Sequence, residues 1–193
     1  MKTVEIRGAR VLLTPFLKSE TSTVLEWRNS EHYSRFCSTR DTVVTLEEFE
    51  KELQHDFSND RHHQYIIRRM SDRLPIGTIF SYKYNKRDGN VFVTTYIVEK
   101  FQKLSYGAEA HALFIHYLFS KFNLHKIYVE VYLNNSSSLG PIIKAGYQEE
   151  GLFKEHRKDG EGSWQDLKRF AFYRDDIEKL QIFVNRLQHT IIP

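Results

Sequence analysis

Val91-Phe92-Val93-Thr94-Thr95-Tyr96-Ile97-Val98-Glu99-Lys100-Phe101-Gln102-Lys103-Leu104-Ser105-Tyr106-Gly107 is the stretch that decides the fold. Its first half, Val91 to Val98, is rich in β-branched and aromatic residues and reads as a strand. Directly after it, Ala110, Leu113, Phe114, Tyr117 and Leu118 recur at helical spacing, and Ala112, Ile115 and Phe119 add a second apolar stripe. A helix that is apolar on more than one side must be covered on more than one side, so it sits centrally. The junction from Glu99 to Gly107 therefore leads from a strand to the N-terminus of a buried helix. Unpaired N–H groups and a partial positive charge of about half an elementary unit at such a terminus suit phosphate oxygens. On composition alone a plain strand-to-helix turn is the alternative.

Working outward, Lys126 to Tyr132 is a β-branched run, so strand, helix and strand form a crossover that makes the flanking strands parallel. Spacing does not tell whether they are neighbours. Upstream, Tyr65-Ile66-Ile67, Ile76 to Tyr84 and Val91 to Val98 are separated by Asp72-Arg73-Leu74-Pro75 and Lys86-Arg87-Asp88-Gly89-Asn90, which predicts an antiparallel meander. Val4 to Leu13 reads as one strand ended by Thr14-Pro15, followed by a helix over Lys18 to Arg28 with Val24, Leu25 and Trp27 inward. Thr45-Leu46-Glu47-Glu48 is a capping box, opening a helix that runs to Phe57. Downstream, Ser136 to Ala145 is a short helix ended by Gly146, and Tyr147 to Arg157 and Trp164 to Tyr173 form a hairpin across Lys158-Asp159-Gly160-Glu161-Gly162. Asp175 to His189 is a last helix whose Ile177, Leu180, Val184 and Leu187 stripe must dock on the domain or on another copy.

The chain has 193 residues, 40% of them hydrophobic and 27% charged, enough to bury one sizeable core and too few for two full domains. Prolines at 15, 75, 141 and 193 are scattered, and no repeat or linker divides the chain. Lys plus Arg number 28 and Asp plus Glu 25, and the net +3 is too small a footprint for nucleic acid or an anionic membrane. The segment Met1 to Arg7 is charged at every second or third position and does not read as a secretory leader, so export is not expected, and no apolar run approaches the ~20 residues of a bilayer span. The single cysteine, Cys37, excludes an internal disulfide and multi-cysteine metal sites, and fits a reducing cytoplasm. No metal site is expected from the nine histidines, since His62-His63 alternate across a strand and His111 and His116 diverge around a helix.

Gln102-Lys103-Leu104-Ser105-Tyr106-Gly107 resembles the Q/R-x-x-G-x-G/A loop of the GNAT acetyltransferase superfamily, with Ser105 in the first glycine position. Further pieces occur in the order of the branch that acetylates ribosomal-protein N-termini: Leu25-Glu26-Trp27-Arg28-Asn29, Thr45 to Phe49, Pro75-Ile76-Gly77-Thr78-Ile79, Asn135-x-x-Ser138 running to Gly146-Tyr147, and Asp159-Gly160 before Trp164-x-Asp166. The resemblance covers residues 1 to 174 and leaves 175 to 193 as a helical extension. It implies an α/β fold with a central mixed seven-stranded sheet, helices on both faces and an opening between the fourth and fifth strands that takes the pantetheine arm of acetyl-coenzyme A.

By the same resemblance, Gln102, Lys103, Leu104, Ser105, Tyr106 and Gly107 bind the coenzyme's pyrophosphate, and main-chain groups near Ile97 and Val98 hold the arm and polarise the thioester. Asn135 bonds the arm, and Ser138 protonates the departing thiolate. Many superfamily members place a tyrosine acid seven residues after the Asn, where this chain has Ile142, and some place a glutamate base on the fourth strand, where it has Thr94 and Thr95. Glu155 and His156 are adjacent on the sixth strand, so at most one enters the cleft; because relatives use a carboxylate on this strand, one site away where this chain has Arg157, Glu155 is the expected base, with water alone as the alternative. By the same resemblance Lys144 lies where relatives approach the adenosine end, and Tyr33 and Phe36 shape the acceptor pocket. The expected reaction is direct acetyl transfer to a primary amine of a protein N-terminus, polyamine, amino sugar or antibiotic, with no metal. A coenzyme A or acyl-carrier binding module without amine acetylation, or transfer of another acyl group, is the second reading. A homodimer through the last helix is a further expectation.

Overall fold

The computed structural model describes residues 4–37, 42–58, 63–158, 161–180, 182 and 185. One eight-stranded sheet organises them: β1 (Ile6–Arg7), β2 (Val11–Pro15), β3 (His63–Arg69), β4 (Pro75–Asn85), β5 (Asn90–Ile97), β6 (Lys126–Tyr132), β7 (Gln148–Lys158) and β8 (Trp164–Tyr173), in the spatial order 1-2-3-4-5-6-8-7. The extra strand arises at the N-terminus, where the run expected as one strand is a hairpin. Main-chain N–H groups of Ala9 and Arg10 donate to Glu109 Oε1 at 2.7 and 3.0 Å. Gly8 permits that approach, since a Cβ there would stand 2.4 Å from the same oxygen. A carboxylate a hundred positions away bends the chain, which local alternation does not reveal.

The meander and the final hairpin are antiparallel as expected, and β5 with β6 is the parallel pair. That pair is short. Asn90, Val91 and Phe92 face Lys126, Ile127 and Tyr128, and the strands then part. Between β5 and β6 runs α4 (Tyr106–Lys121), buried along Ala110, Ala112, Phe114, Ile115, Leu118 and Phe119 as its double stripe requires. Its C-terminal end is held by Arg174, whose guanidinium donates to the carbonyls of Phe119, Phe122 and Leu124.

Helices cover both faces. On one side α4 and α5 (Ser136–Lys144) pack with Val11, Tyr65, Val93 and Ile127. On the other, α1 (Thr21–Arg28), α2 (Glu31–Cys37) and α3 (Leu46–Ser58) enclose Ile66 and Tyr96. The first helix differs from expectation in opening with a 3-10 turn at Lys18–Glu20, with Val24 and Trp27 buried and Leu25 only partly so. The capping box is present: Thr45 N–H donates to Glu48 Oε2 at 2.8 Å, and Glu48 N–H returns to Thr45 Oγ1 at 3.3 Å. Pro141 lies inside α5, and Gly146 follows it at φ 93°, a left-handed position.

Helix resumes at Ile177, and Leu180 is 2% exposed in the same core as Phe172 and Tyr147. The described part of the C-terminal stripe is thus used at home; Val184 and Leu187 lie outside the described residues. None of the described helices is long and apolar enough to cross a membrane.

Candidate active site

The site begins where β5 leaves β6. Val98 N–H donates to the Ile76 carbonyl at 2.9 Å, so the ladder to β4 uses Val98 and, by alternation, Tyr96 and Thr94. Main-chain groups of Thr95 and Ile97 consequently face the opening, while the Val98 N–H, expected there, is spent on β4. Gly77 allows β4 to follow β5 around this bend, because a Cβ on it would lie 2.1 Å from the Tyr96 carbonyl oxygen. A cavity of about 940 Å³ fills the opening and reaches both faces of the sheet, a size suited to a large ligand.

At one end of the cavity lies the loop Gln102 to Gly107. Lys103 and Ser105 adopt left-handed backbone, at φ 61° and 62°, and Ser105 is the N-cap of α4 without a side-chain cap bond. The first helical N–H to find an acceptor is that of Glu109, on the Ser105 carbonyl at 3.1 Å. From Lys103 to Ala108 no main-chain N–H has an acceptor among the described residues, a concave run of donors aligned with the helix dipole. Gly107 keeps the turn close to the sheet, since a Cβ would come within 3.1 Å of Ile97 Cγ1. Arg10 secures the loop from behind: it donates to the Leu104 carbonyl, approaches Glu109 Oε2 at 3.4 Å and lies 4.8 Å over the Tyr106 ring. Gln102 ties it in front, with Nε2 donating to the Ile97 carbonyl at 3.0 Å and 2.8 Å from His32 Nε2.

Across the cavity stands the N-terminus of α5. Asn135 is its N-cap; Oδ1 accepts the Ser137 hydroxyl at 2.7 Å, and Nδ2 has no partner among the described residues. Ser138, half-buried, and Ile142 and Lys144 also line the cavity. Glu155 is placed elsewhere. It is exposed in a bulge of β7 between Phe153 and Arg157, at φ 47°, with its N–H on Asp166 Oδ1 at 2.8 Å, and it does not line the cavity. The neighbour that does is Arg157, whose guanidinium meets the Glu130 carboxylate, on a side chain only 5% exposed, at 2.9 Å; Arg169 holds the other oxygen of that carboxylate at 2.7 Å.

On the opposite face of the sheet the cavity is walled by α2, which carries His32, Tyr33 and Phe36 to it, and by Arg28 of α1 paired with Glu52 of α3 at 2.7 Å. Burial lowers the pKa of His32, Arg35 adds to this and Glu99 opposes it. Burial pushes the Cys37 thiol up to about 12, so it is a protonated thiol at neutral pH.

His111 went unread in the sequence as part of the site. Its ring stands in the cavity wall with Nδ1 2.8 Å from Thr95 Oγ1 and Nε2 2.7 Å from the Tyr147 hydroxyl, and burial lowers its pKa to about 4. The signal was present: His111 interrupts the apolar stripes of α4 between Ala110 and Ala112, and a polar residue on a buried face needs partners there.

The family profile described as "Acetyltransferase (GNAT) domain" matches residues 10–148. The chain belongs to the GNAT acetyltransferase family. This GNAT protein is 26% identical, over 90% of its length and 99% of the relative's, to a Bacillus subtilis (strain 168) protein named "Probable N-acetyltransferase YjcK". Its fold is similar to that of spermidine N-acetyltransferase from Vibrio cholerae, solved with coenzyme A and spermine, at a TM-score of 0.81 and 17% identity over 89% of this chain and 99% of that one. It is also similar to RimL, a ribosomal L7/L12 α-N-protein acetyltransferase solved with coenzyme A, at 0.79 and 13% over 89% and 99%. Ribosomal-protein-S5-alanine acetyltransferase from Vibrio fischeri aligns at 0.77 and 18%, over 90% and 98%. At these identities the solved structures establish the fold.

Proposed function

We propose that this GNAT protein transfers the acetyl group of acetyl-coenzyme A to a primary amine by direct attack. One observation carries the reading: the run of N–H groups from Lys103 to Ala108, without acceptors among the described residues, ends on the same cavity that opens between β5 and β6. The donors suit a pyrophosphate, and Gly107 keeps the turn that carries them close to Ile97 of β5. Main-chain groups of Thr95 and Ile97 line the path of the pantetheine arm, and the Asn135 Nδ2 donates to one of its carbonyls. The amine enters from the α2 side, past His32, Tyr33 and Phe36. As the C–N bond forms and the C–S bond breaks, the Ser138 hydroxyl supplies the thiolate's proton, a modest demand because a thiolate is a good leaving group. No carboxylate is assigned as base, Glu155 standing outside the cavity. Cys37 as the single cysteine suits a reducing cytoplasm.

The acceptor is sought among small-molecule and peptide amines, the classes named for the solved relatives. The assay is thiol release from acetyl-coenzyme A with a panel of spermidine, peptide N-termini, amino sugars and aminoglycosides. Turnover with at least one amine, lost in Ser138→Ala with coenzyme affinity retained, is the expected result. Tight coenzyme A binding with no turnover on any amine supports the binding module instead.

A further inference from the structure

Within the cavity wall, Thr95, His111 and Tyr147 form an unbroken hydrogen-bonded chain that the proposed function leaves unused. Thr95 lies on β5 with its main chain toward the opening and its hydroxyl on the α4 face of the sheet, so an amine arriving from the α2 side meets it through the opening; His111 sits on α4 one helical turn and a half past its first residue, and Tyr147 immediately precedes β7. Both ring nitrogens are engaged, at 2.8 and 2.7 Å, and all three residues line the cavity that also holds Ser138. A neutral imidazole bonded at both nitrogens donates from one and accepts at the other. The groups facing the ring are a hydroxyl and a phenol, and burial is the cause of its lowered pKa. Its resting state at neutral pH is therefore uncharged, and because the same burial disfavours the imidazolium, the ring can carry a proton only in passing.

We propose that Thr95, backed by His111 and Tyr147, is the route by which the attacking amine loses its proton. The inference rests on the acetyltransferase reading. When the amine nitrogen bonds to the thioester carbon it must shed one N–H proton. That proton passes to Thr95 Oγ1 as the hydroxyl's own proton moves to His111 Nδ1, and the imidazolium so formed donates from Nε2 to the Tyr147 oxygen. The thiolate takes the Ser138 proton, and His111 returns the extra one through cavity water to the Ser138 oxygen. One proton leaves nitrogen and one arrives on sulfur, so the chain is neutral at the start and the end. Thr95 is then the catalytic residue, and His111 and Tyr147 are positioning residues acting through it.

Two measurements test this. The first needs no coenzyme: nitrogen-15 shifts of the His111 ring in the free protein report its tautomer. The relay requires Nδ1 to be the bare nitrogen and Nε2 to carry the hydrogen. A proton on Nδ1 overturns it, whether or not the protein proves to be a transferase. The second compares His111→Gln, which retains a donor and an acceptor but cannot hold a proton, with Thr95→Val and Tyr147→Phe. The expected result is a fall in kcat of about a hundredfold for Thr95→Val and His111→Gln, with KM for acetyl-coenzyme A, coenzyme A Kd and Tm little changed. Their double variant should be no worse than either alone, because the two act as a unit. A His111→Gln kcat within twofold of wild type, or a loss matched by equally weakened coenzyme binding or folding, contradicts the relay.

Discussion

Glu109 and Arg10 meet at the joint between the sheet edge and the loop at the start of α4. The Glu109 carboxylate, 2% exposed, accepts the main-chain N–H groups of Ala9 and Arg10 and faces the Arg10 guanidinium, which in turn reaches the Leu104 carbonyl. An N-terminal turn is thereby fastened to the loop whose N–H groups have no acceptor among the described residues. Glu109→Ala removes the acceptor of buried donors and leaves Arg10 without its partner, which should cost about 2–4 kcal/mol in urea denaturation. Coenzyme A affinity should fall with it, because Arg10, which holds the Leu104 carbonyl, loses the carboxylate that orients it. Unchanged stability would detach the turn from the loop.

Ser105 supplies a second expectation. Its backbone is left-handed and its hydroxyl makes no cap bond, so Ser105→Gly relieves strain without removing a contact. The variant should be as stable as wild type or better, and should bind coenzyme A no more weakly. Ser105→Val places a β-branched side chain in the same region and should lose about 1–2 kcal/mol, with weaker coenzyme binding. Thermal unfolding and titration calorimetry on the pair decide it, and equal behaviour of Gly and Val would contradict the backbone reading.

Gly77 is constrained by main chain rather than side chain. With the Tyr96 carbonyl 2.1 Å from where a Cβ would be, Gly77→Ala has to push β4 off β5 at the bend. A loss of about 1–3 kcal/mol is expected, together with weaker coenzyme binding. A fully stable Gly77→Ala would show that the bend yields easily.

His111 gives stability a pH dependence of defined sign. Its folded pKa of about 4 lies below the ordinary 6.5, so between those values the unfolded chain binds a proton that the folded chain does not. Its contribution is fully present above pH 6.5 and is lost as pH falls toward 4. Measured unfolding free energies should decline over that window in wild type and decline less in His111→Gln. An identical acid limb in both would mean the ring is not held neutral by burial.

Leu180 distinguishes a docked C-terminal helix from a dimer face. It is buried in the domain's own core, so Leu180→Lys should lower stability by about 3 kcal/mol or more at any protein concentration. A stable Leu180→Lys protein whose sedimentation shifts from dimer to monomer would move the contact to another copy.

Much of this architecture was legible along the chain because it is written in local periodicity: the meander, the double-striped α4, the strand at Lys126 to Tyr132 and the capping box at Thr45 appear where spacing puts them. The junction at Gln102 to Gly107 was legible as a strand-to-helix turn, and its expected coenzyme role came from the resemblance of those contiguous residues. The features missed depend on distant partners. The break at Gly8 is made by Glu109, the availability of Thr95 and Ile97 instead of Val98 by the ladder to Ile76, and the exposure of Glu155 by a bulge pinned to Asp166. His111 was visible as an oddity in an apolar stripe, but its partners sit on β5 and before β7, and neither spacing nor composition joins them.

In the proposed function the main-chain donors from Lys103 to Ala108 hold the coenzyme's pyrophosphate at the mouth of the β5–β6 opening. Titrating coenzyme A into nitrogen-15-labelled protein while following backbone amide resonances tests it most directly. Saturable shifts concentrated on Lys103 to Ala108, Thr95 and Ile97, and on the Asn135 side-chain amide, are expected. No saturation at millimolar coenzyme A, or saturation with the shifts elsewhere and those amides unmoved, would contradict it.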